Sequence, residues 1–301
     1  MFVFLSELGY TLLCIIMNFQ RRRNDVAELT PMMQQYMETK NQYKDCILFY
    51  RLGDFYEMFF DDAITASREL EITLTGKNCG LEERAPMCGV PHHSVEGYLN
   101  RLVSKGYKVA ICEQVEDPKF AKGIVKREVV RIVTPGTNLN TQALDASKNN
   151  YIMCIVYLDD HYGMSIADVT TGDYFVTELD NTRKLLDEIA KFTPSEIVCN
   201  ESLYVSGVDL DDLKNRLGIT IYPLDSWYFD DASCEKVLKE HFKVASLEAL
   251  GIGDYNSGAI GAGALLQYLY ETQKNSLAHL TTITGYTTGK YMLLDSSSRR
   301  N

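Results

Sequence analysis

The chain has 301 residues, 46% of them apolar, and a net charge of −11. That length suits two domains and that apolar content suits globular folding. The acidity argues against a free-standing DNA-binding module, because neutralisation of phosphates by Lys and Arg supplies most non-specific affinity. The charge is unevenly spread. Residues 20–140 hold 17 basic and 17 acidic side chains, whereas residues 141–301 hold 13 and 23. Within the first half, residues 118–131 carry Lys119, Lys122, Lys126, Arg127 and Arg131 against Glu128 alone, a local segment able to meet phosphates.

The eight cysteines, at 14, 46, 79, 88, 112, 154, 199 and 234, form no C-x-x-C pair. Cys46, Cys112, Cys154 and Cys199 sit in apolar runs and read as buried thiols in a reducing compartment. Cys88, His92 and His93 lack a second ligand pair at metal-site spacing, so no metal site is expected.

Residues 1–28 read as an N-terminal extension. Met1 to Phe19 is largely apolar and Arg21-Arg22-Arg23 follows. Such a run is long enough for a membrane anchor, but it has no basic n-region and no small-residue cleavage site. A misassigned start upstream of Met17 is the preferred reading, and no membrane association is expected.

Thr30-Pro31 predicts an N-cap and a helix from Pro31 to Tyr43. Cys46–Leu52 is strand-like and ends at the turn pair Gly53-Asp54. A helix is predicted over Glu57–Glu71, a short strand over Ile72–Thr75 and a polar loop over Gly76–Arg84. Ser94 predicts the cap of a helix reaching Lys105 and stopped by Gly106. Tyr107–Val115 and Arg127–Val133 predict strands, and Thr134-Pro135-Gly136-Thr137 closes a first α/β domain over residues 29–137. Residues 138–150 read as a linker.

Residues 151–257 form a second domain. It opens with three strand-like runs, Tyr151–Tyr157, Gly163–Val169 and Asp173–Leu179, which predict an antiparallel meander. Helices over Asn181–Phe192, Leu210–Leu217 and Ala232–Phe242 then alternate with strands over Glu196–Cys199 and Ile219–Tyr222. The layout looks RNase H-like. An apolar helix over Gly258–Lys274 opens a third segment, residues 258–301.

Gly53-Asp54-Phe55-Tyr56-Glu57 presents an aromatic and a carboxylate two residues apart at an element end. A flat apolar wedge beside a hydrogen-bond acceptor suits the probing of stacked bases. Taken alone, Phe55 reads as one more core aromatic beside Phe49, Phe59 and Phe60, and Tyr56 as a packing residue.

The flanking blocks alter that reading. Thr30-Pro31-Met32-Met33-Gln34-Gln35-Tyr36 precedes the motif, and Pro86-Met87-Cys88-Gly89-Val90-Pro91-His92-His93 follows it. Val109 to Gln114 and Val129 to Thr137 come next. In order and spacing these blocks resemble the bacterial MutS mismatch-repair family, over roughly Leu29 to Asn301. The resemblance implies a mixed-sheet mismatch-recognition domain at 29–137, a connector domain at 151–257 and the start of a truncated helical core, or lever, domain at 258–301. It implies that Phe55 stacks on a mispaired base and that Glu57 hydrogen-bonds it. Arg51, Leu52, Lys77, His93, Lys119 and Lys122 are candidate backbone contacts; His92 stands where the family more often has Tyr. The implied partners are mismatched double-stranded DNA, a second copy in a homodimer, and MutL. The implied location is cytoplasmic and nucleoid-associated.

The family's ATPase uses ATP and Mg²⁺ through a P-loop. The nearest match here, Gly285-Tyr286-Thr287-Thr288-Gly289-Lys290-Tyr291, is a residue short and places Tyr where a hydroxyl must bind Mg²⁺. No ATP site and no enzymatic activity are expected within the chain. Two alternatives stand beside mismatch sensing: a metal-dependent nuclease built on Asp159, Asp160, Asp168 and Asp173, and a protein-interaction module over residues 150–260.

Overall fold

A computed structural model describes residues 29–116, 123–138, 149–274 and 277–288. Its first domain is a six-stranded mixed sheet between helices. Helix α1 (Pro31–Gln42) covers one face, and α2 (Phe60–Leu70) and α3 (Val95–Val103) cover the other. The strands are β1 (Cys46–Leu52), β2 (Phe55–Phe59), β3 (Thr75–Lys77), β4 (Ala85–Pro91), β5 (Lys108–Gln114) and β6 (Arg127–Val133). Their spatial order is β3-β4-β2-β1-β5-β6, with β1 and β5 parallel and the other neighbours antiparallel.

Alternation along each strand sorts the core into two layers. Ile47, Phe49, Tyr56 and Met58 pack under α2 and α3, whereas Leu48, Tyr50 and Phe59 pack under Met33 and Tyr36 of α1.

The structure departs from the sequence pattern at several points. The helix expected from Glu57 begins at Phe60, because Glu57, Met58 and Phe59 pair with Gly89, Cys88 and Met87 of β4. Strand β4 itself was hidden by Pro86, Gly89 and Pro91, which read as turn chemistry. The short strand lies at Thr75–Lys77 rather than Ile72–Thr75, again set by pairing with β4. Neither Thr30 nor Ser94 caps through its side chain. Thr30 instead donates its backbone N–H to Cys79 O at 2.8 Å.

The second domain is another six-stranded mixed sheet, made of β7 (Tyr151–Leu158), β8 (His161–Asp168), β9 (Asp173–Leu179), β10 (Glu196–Cys199), β11 (Thr220–Pro223) and β12 (Thr284–Gly285). The order is β11-β10-β7-β8-β9-β12. Strands β7 to β9 form the expected meander, and β10 and β11 extend it in parallel. Helices α4 (Thr182–Phe192) and α5 (Leu210–Leu217) cover one face. Helices α6 (Asp231–Phe242) and α7 (Ser257–Gln273) cover the other.

Helix α7, read from sequence as the opening of a further segment, lies in the core of this second sheet. Two glycines admit it. A Cβ on Gly163 of β8 would come within 2.1 Å of the Ser257 carbonyl carbon, and one on Gly263 within 2.3 Å of Cys234 Cβ.

The two domains meet at a buried carboxylate. Thr134 and Thr137 close a capping box around the turn Pro135–Thr137. Gly136 N–H in that turn donates to Glu196 Oε2 at 2.8 Å, and the Tyr222 and Tyr268 hydroxyls donate to Oε1. Asn150 Nδ2 donates to Pro135 O at 3.0 Å. Most of the expected linker, residues 139–148, lies outside the described residues.

Candidate nucleic-acid interface

Hairpin β1–β2 turns through only two residues, with Leu52 paired to Phe55. Such a turn needs left-handed backbone, and Gly53 supplies it at φ +59°. Both turn carbonyls are tethered. Arg51 Nε donates to Gly53 O at 2.5 Å, and His92 donates its backbone N–H to Asp54 O at 2.9 Å. His92 Nδ1 also lies 3.1 Å from Asp54 O; a carbonyl can only accept, so this ring nitrogen carries the proton.

Pleating then decides what each side chain does. Tyr56 and Met58 point into the α2–α3 layer; Phe55, Glu57 and Phe59 point the other way. Helix α1 covers Phe59 at the far end of β2, whereas Phe55 beside the turn is 47% exposed. Phe49, Tyr50, Tyr56 and Phe59 are all buried around it. Glu57 is half-buried, and its Oε2 lies 2.5 Å from Lys77 Nζ. The Lys77 ammonium also sits 5.6 Å from the Phe59 ring centroid.

Two models of one family match the chain: MutS domain I over residues 30–142 and MutS domain II over 150–281. The chain belongs to the MutS family. It is 68% identical over 276 residues to the DNA mismatch repair protein MutS of Lachnoclostridium phytofermentans, covering 92% of this chain and 30% of that protein. It is 54% identical to the MutS of Ruminiclostridium cellulolyticum and 53% identical to that of Acetivibrio thermocellus, each over 92% of this chain and 32% of the relative. The chain thus spans about a third of the length of these MutS relatives.

The candidate backbone contacts of this MutS chain fall into different settings. Leu52 lies on the Phe55 face, half-buried beside the α1 layer. Arg51 pairs with Tyr56 and so faces the opposite side, with its guanidinium 5.5 Å from the Tyr56 ring centroid and NH1 3.7 Å from Glu113. His93 is exposed in the turn after β4. Lys119 and Lys122 lie outside the described residues. Of the remaining basic segment, Lys126 pairs with Glu128 at 2.5 Å. Arg127 turns inward, donating to Arg51 O at 2.8 Å and Gln35 Oε1 at 3.0 Å. Arg131 Nε is buried without a hydrogen-bond partner, and burial holds that guanidinium below its ordinary value. Sequence reading missed the tether from His92 and the pairing of Glu57 with Lys77. Both join residues at least 20 apart with no local pattern to announce them.

The four acids considered for a nuclease divide between opposite ends of the MutS second sheet. Asp159 and Asp160 form the β7–β8 turn, with φ of 49° and 60°. Asp168 and Asp173 flank the β8–β9 turn, a strand's length away. The Asp168 carboxylate is buried and accepts from Asn150 N at 3.0 Å, Thr170 N at 2.7 Å and Thr170 Oγ1 at 2.5 Å. Its oxygens thus tie the β8–β9 turn to Asn150 at the start of the domain. Cys88 is buried, with Sγ 3.4 Å from Ala63 O, and among the described residues no group of His, Cys, Asp and Glu is placed to hold a metal.

The P-loop-like run begins in β12. Tyr286 is fixed there by donating to Glu188 Oε2 at 2.7 Å, and residues 289–291 lie outside the described residues. No helix of the described residues is long and apolar enough to cross a membrane.

Proposed function

We propose that this chain is the mismatch-sensing part of a DNA mismatch repair protein, with Phe55 as the wedge and Glu57 as the base acceptor. The supporting observation is an exposed Phe55 on a doubly tethered turn, with a carboxylate two residues along on the same face. Unstacking a base step costs about a few kcal/mol. A mispaired step has already lost pairing and stiffness, so inserting Phe55 there costs less than at a matched step. The ring is nearly blind to base identity. Glu57 adds the penalty: a carboxylate near phosphates is repelled unless a base N–H or a proton meets it, which sacrifices affinity for discrimination.

The family likeness carries the rest of the proposal. A homodimer and MutL are the protein partners, and ATP and Mg²⁺ bind residues outside this chain. Domain II serves as a contact module. Trp227, Tyr204 and Val205 are exposed on it.

A fluorescent base analogue placed opposite the mismatch tests the wedge. Its emission should change on binding as it leaves the stack, and Phe55→Ala should remove that change. An unchanged response in Phe55→Ala would refute wedge insertion.

A further inference from the structure

We infer that Lys77 is the positioning residue for Glu57, holding its carboxylate on the Phe55 face where a base would meet it. The inference rests on reading Phe55 and Glu57 as the mismatch probe. The two partners come from β3 and β2, which are separated by β4. On β4 the residue opposite Glu57 is Gly89. A Cβ there would sit 3.3 Å from Tyr56 O and 3.5 Å from Glu57 Cγ, so the missing side chain leaves the carboxylate room beside the strand. The Lys77 ammonium reaches Glu57 past the Phe59 ring. The Glu57 and Lys77 side chains are 17% and 32% exposed, so the pair is largely withdrawn from solvent.

Such a pair adds little net stability, because desolvating both ions offsets their attraction. Its contribution is direction. A free glutamate samples several rotamers, and phosphates would drive its carboxylate away from the DNA. Paired to Lys77, the carboxylate remains an anion and its oxygens are held on the Phe55 face, so the repulsion that a matched step leaves unrelieved is applied at the probe. A lysine that merely touched phosphate would strengthen binding to every duplex alike. A lysine acting through Glu57 changes the ratio of mismatched to matched affinity instead.

The experiment uses a full-length MutS carrying this chain as its domains I and II. Labelled duplexes with a G·T pair or a matched pair are titrated at several salt concentrations. Lys77→Gln should lower the mismatch-to-match ratio by about two- to fivefold. It should leave that ratio unchanged in a Glu57→Gln background, and Lys77→Arg should restore it. Equal weakening of both duplexes, with the salt slope falling by about one, would make Lys77 a phosphate contact and overturn the inference. So would an equal fall in the ratio with and without Glu57. A protein with Glu57 and Lys77 intact but no mismatch preference would instead remove the reading underneath.

Discussion

Phe55 and Tyr56 are adjacent in sequence and face opposite sides of one strand, Phe55 47% exposed and Tyr56 5% exposed. The Tyr56 ring packs into the core and its hydroxyl donates to Glu113, which anchors β2 to β5 across β1. The strand thus holds itself by one side chain and presents the next. Pleat geometry imposes this alternation, and a one-residue slip would bury Phe55 and expose Tyr56.

The turn that sets this register depends on Gly53. No atom lies within 4 Å of a Cβ built there, so a substitution meets only the backbone cost of φ +59°. Gly53→Ala should destabilise the chain by about 1–2 kcal/mol, and Gly53→Asn by less. Urea denaturation measures both. A neutral Gly53→Ala would contradict the left-handed turn.

Asp168 offers a second check, on domain II. Replacing its buried, multiply bonded carboxylate by Ala strands the donors of Asn150 and Thr170 and should cost about 3 kcal/mol. Divalent-metal-dependent DNA cleavage should be absent before and after the change. Cleavage that disappears in a stably folded Asp168→Ala chain would restore the nuclease alternative.

The cysteines give a prediction on pH. Burial pushes the thiols of Cys46, Cys88, Cys112, Cys199 and Cys234 up to about 12. The ordinary thiol value is 9.0. Below 9 both folded and unfolded chains hold these protons. Between 9 and about 12 only the folded chain keeps them, so stability should fall as pH rises through that window. In a Cys14→Ser chain at pH 8, a thiol-specific disulfide reagent should label none of these five until denaturant is added. Rapid labelling of the native chain would refute their burial.

Much of the fold was legible because amphipathic pattern and local punctuation agreed. Arg127–Val133, Glu196–Cys199 and Leu210–Leu217 form the elements their patterns predicted, residue for residue. Disagreement arose where tertiary pairing overrode local chemistry. Met58 and Phe59 carry an apolar run that suits a helix, yet β4 holds them extended, and Phe60 breaks the strand at φ +53°. The packing of α7 was illegible because an apolar-rich helix declares that it is buried, not what buries it. At the site, residue types were readable but their couplings were not. Glu57 and Lys77 meet only where β4 joins β2 to β3, and Asp54 and His92 only where β4 pairs with β2.

The central claim is that Phe55 senses the mismatch, and relative affinity tests it most directly. In a full-length MutS carrying this chain, competition between G·T and matched duplexes should show a clear preference for the mismatch. Phe55→Ala should bring the ratio to about one while the fold is unchanged. A Phe55→Ala protein that still prefers the mismatch would contradict the account.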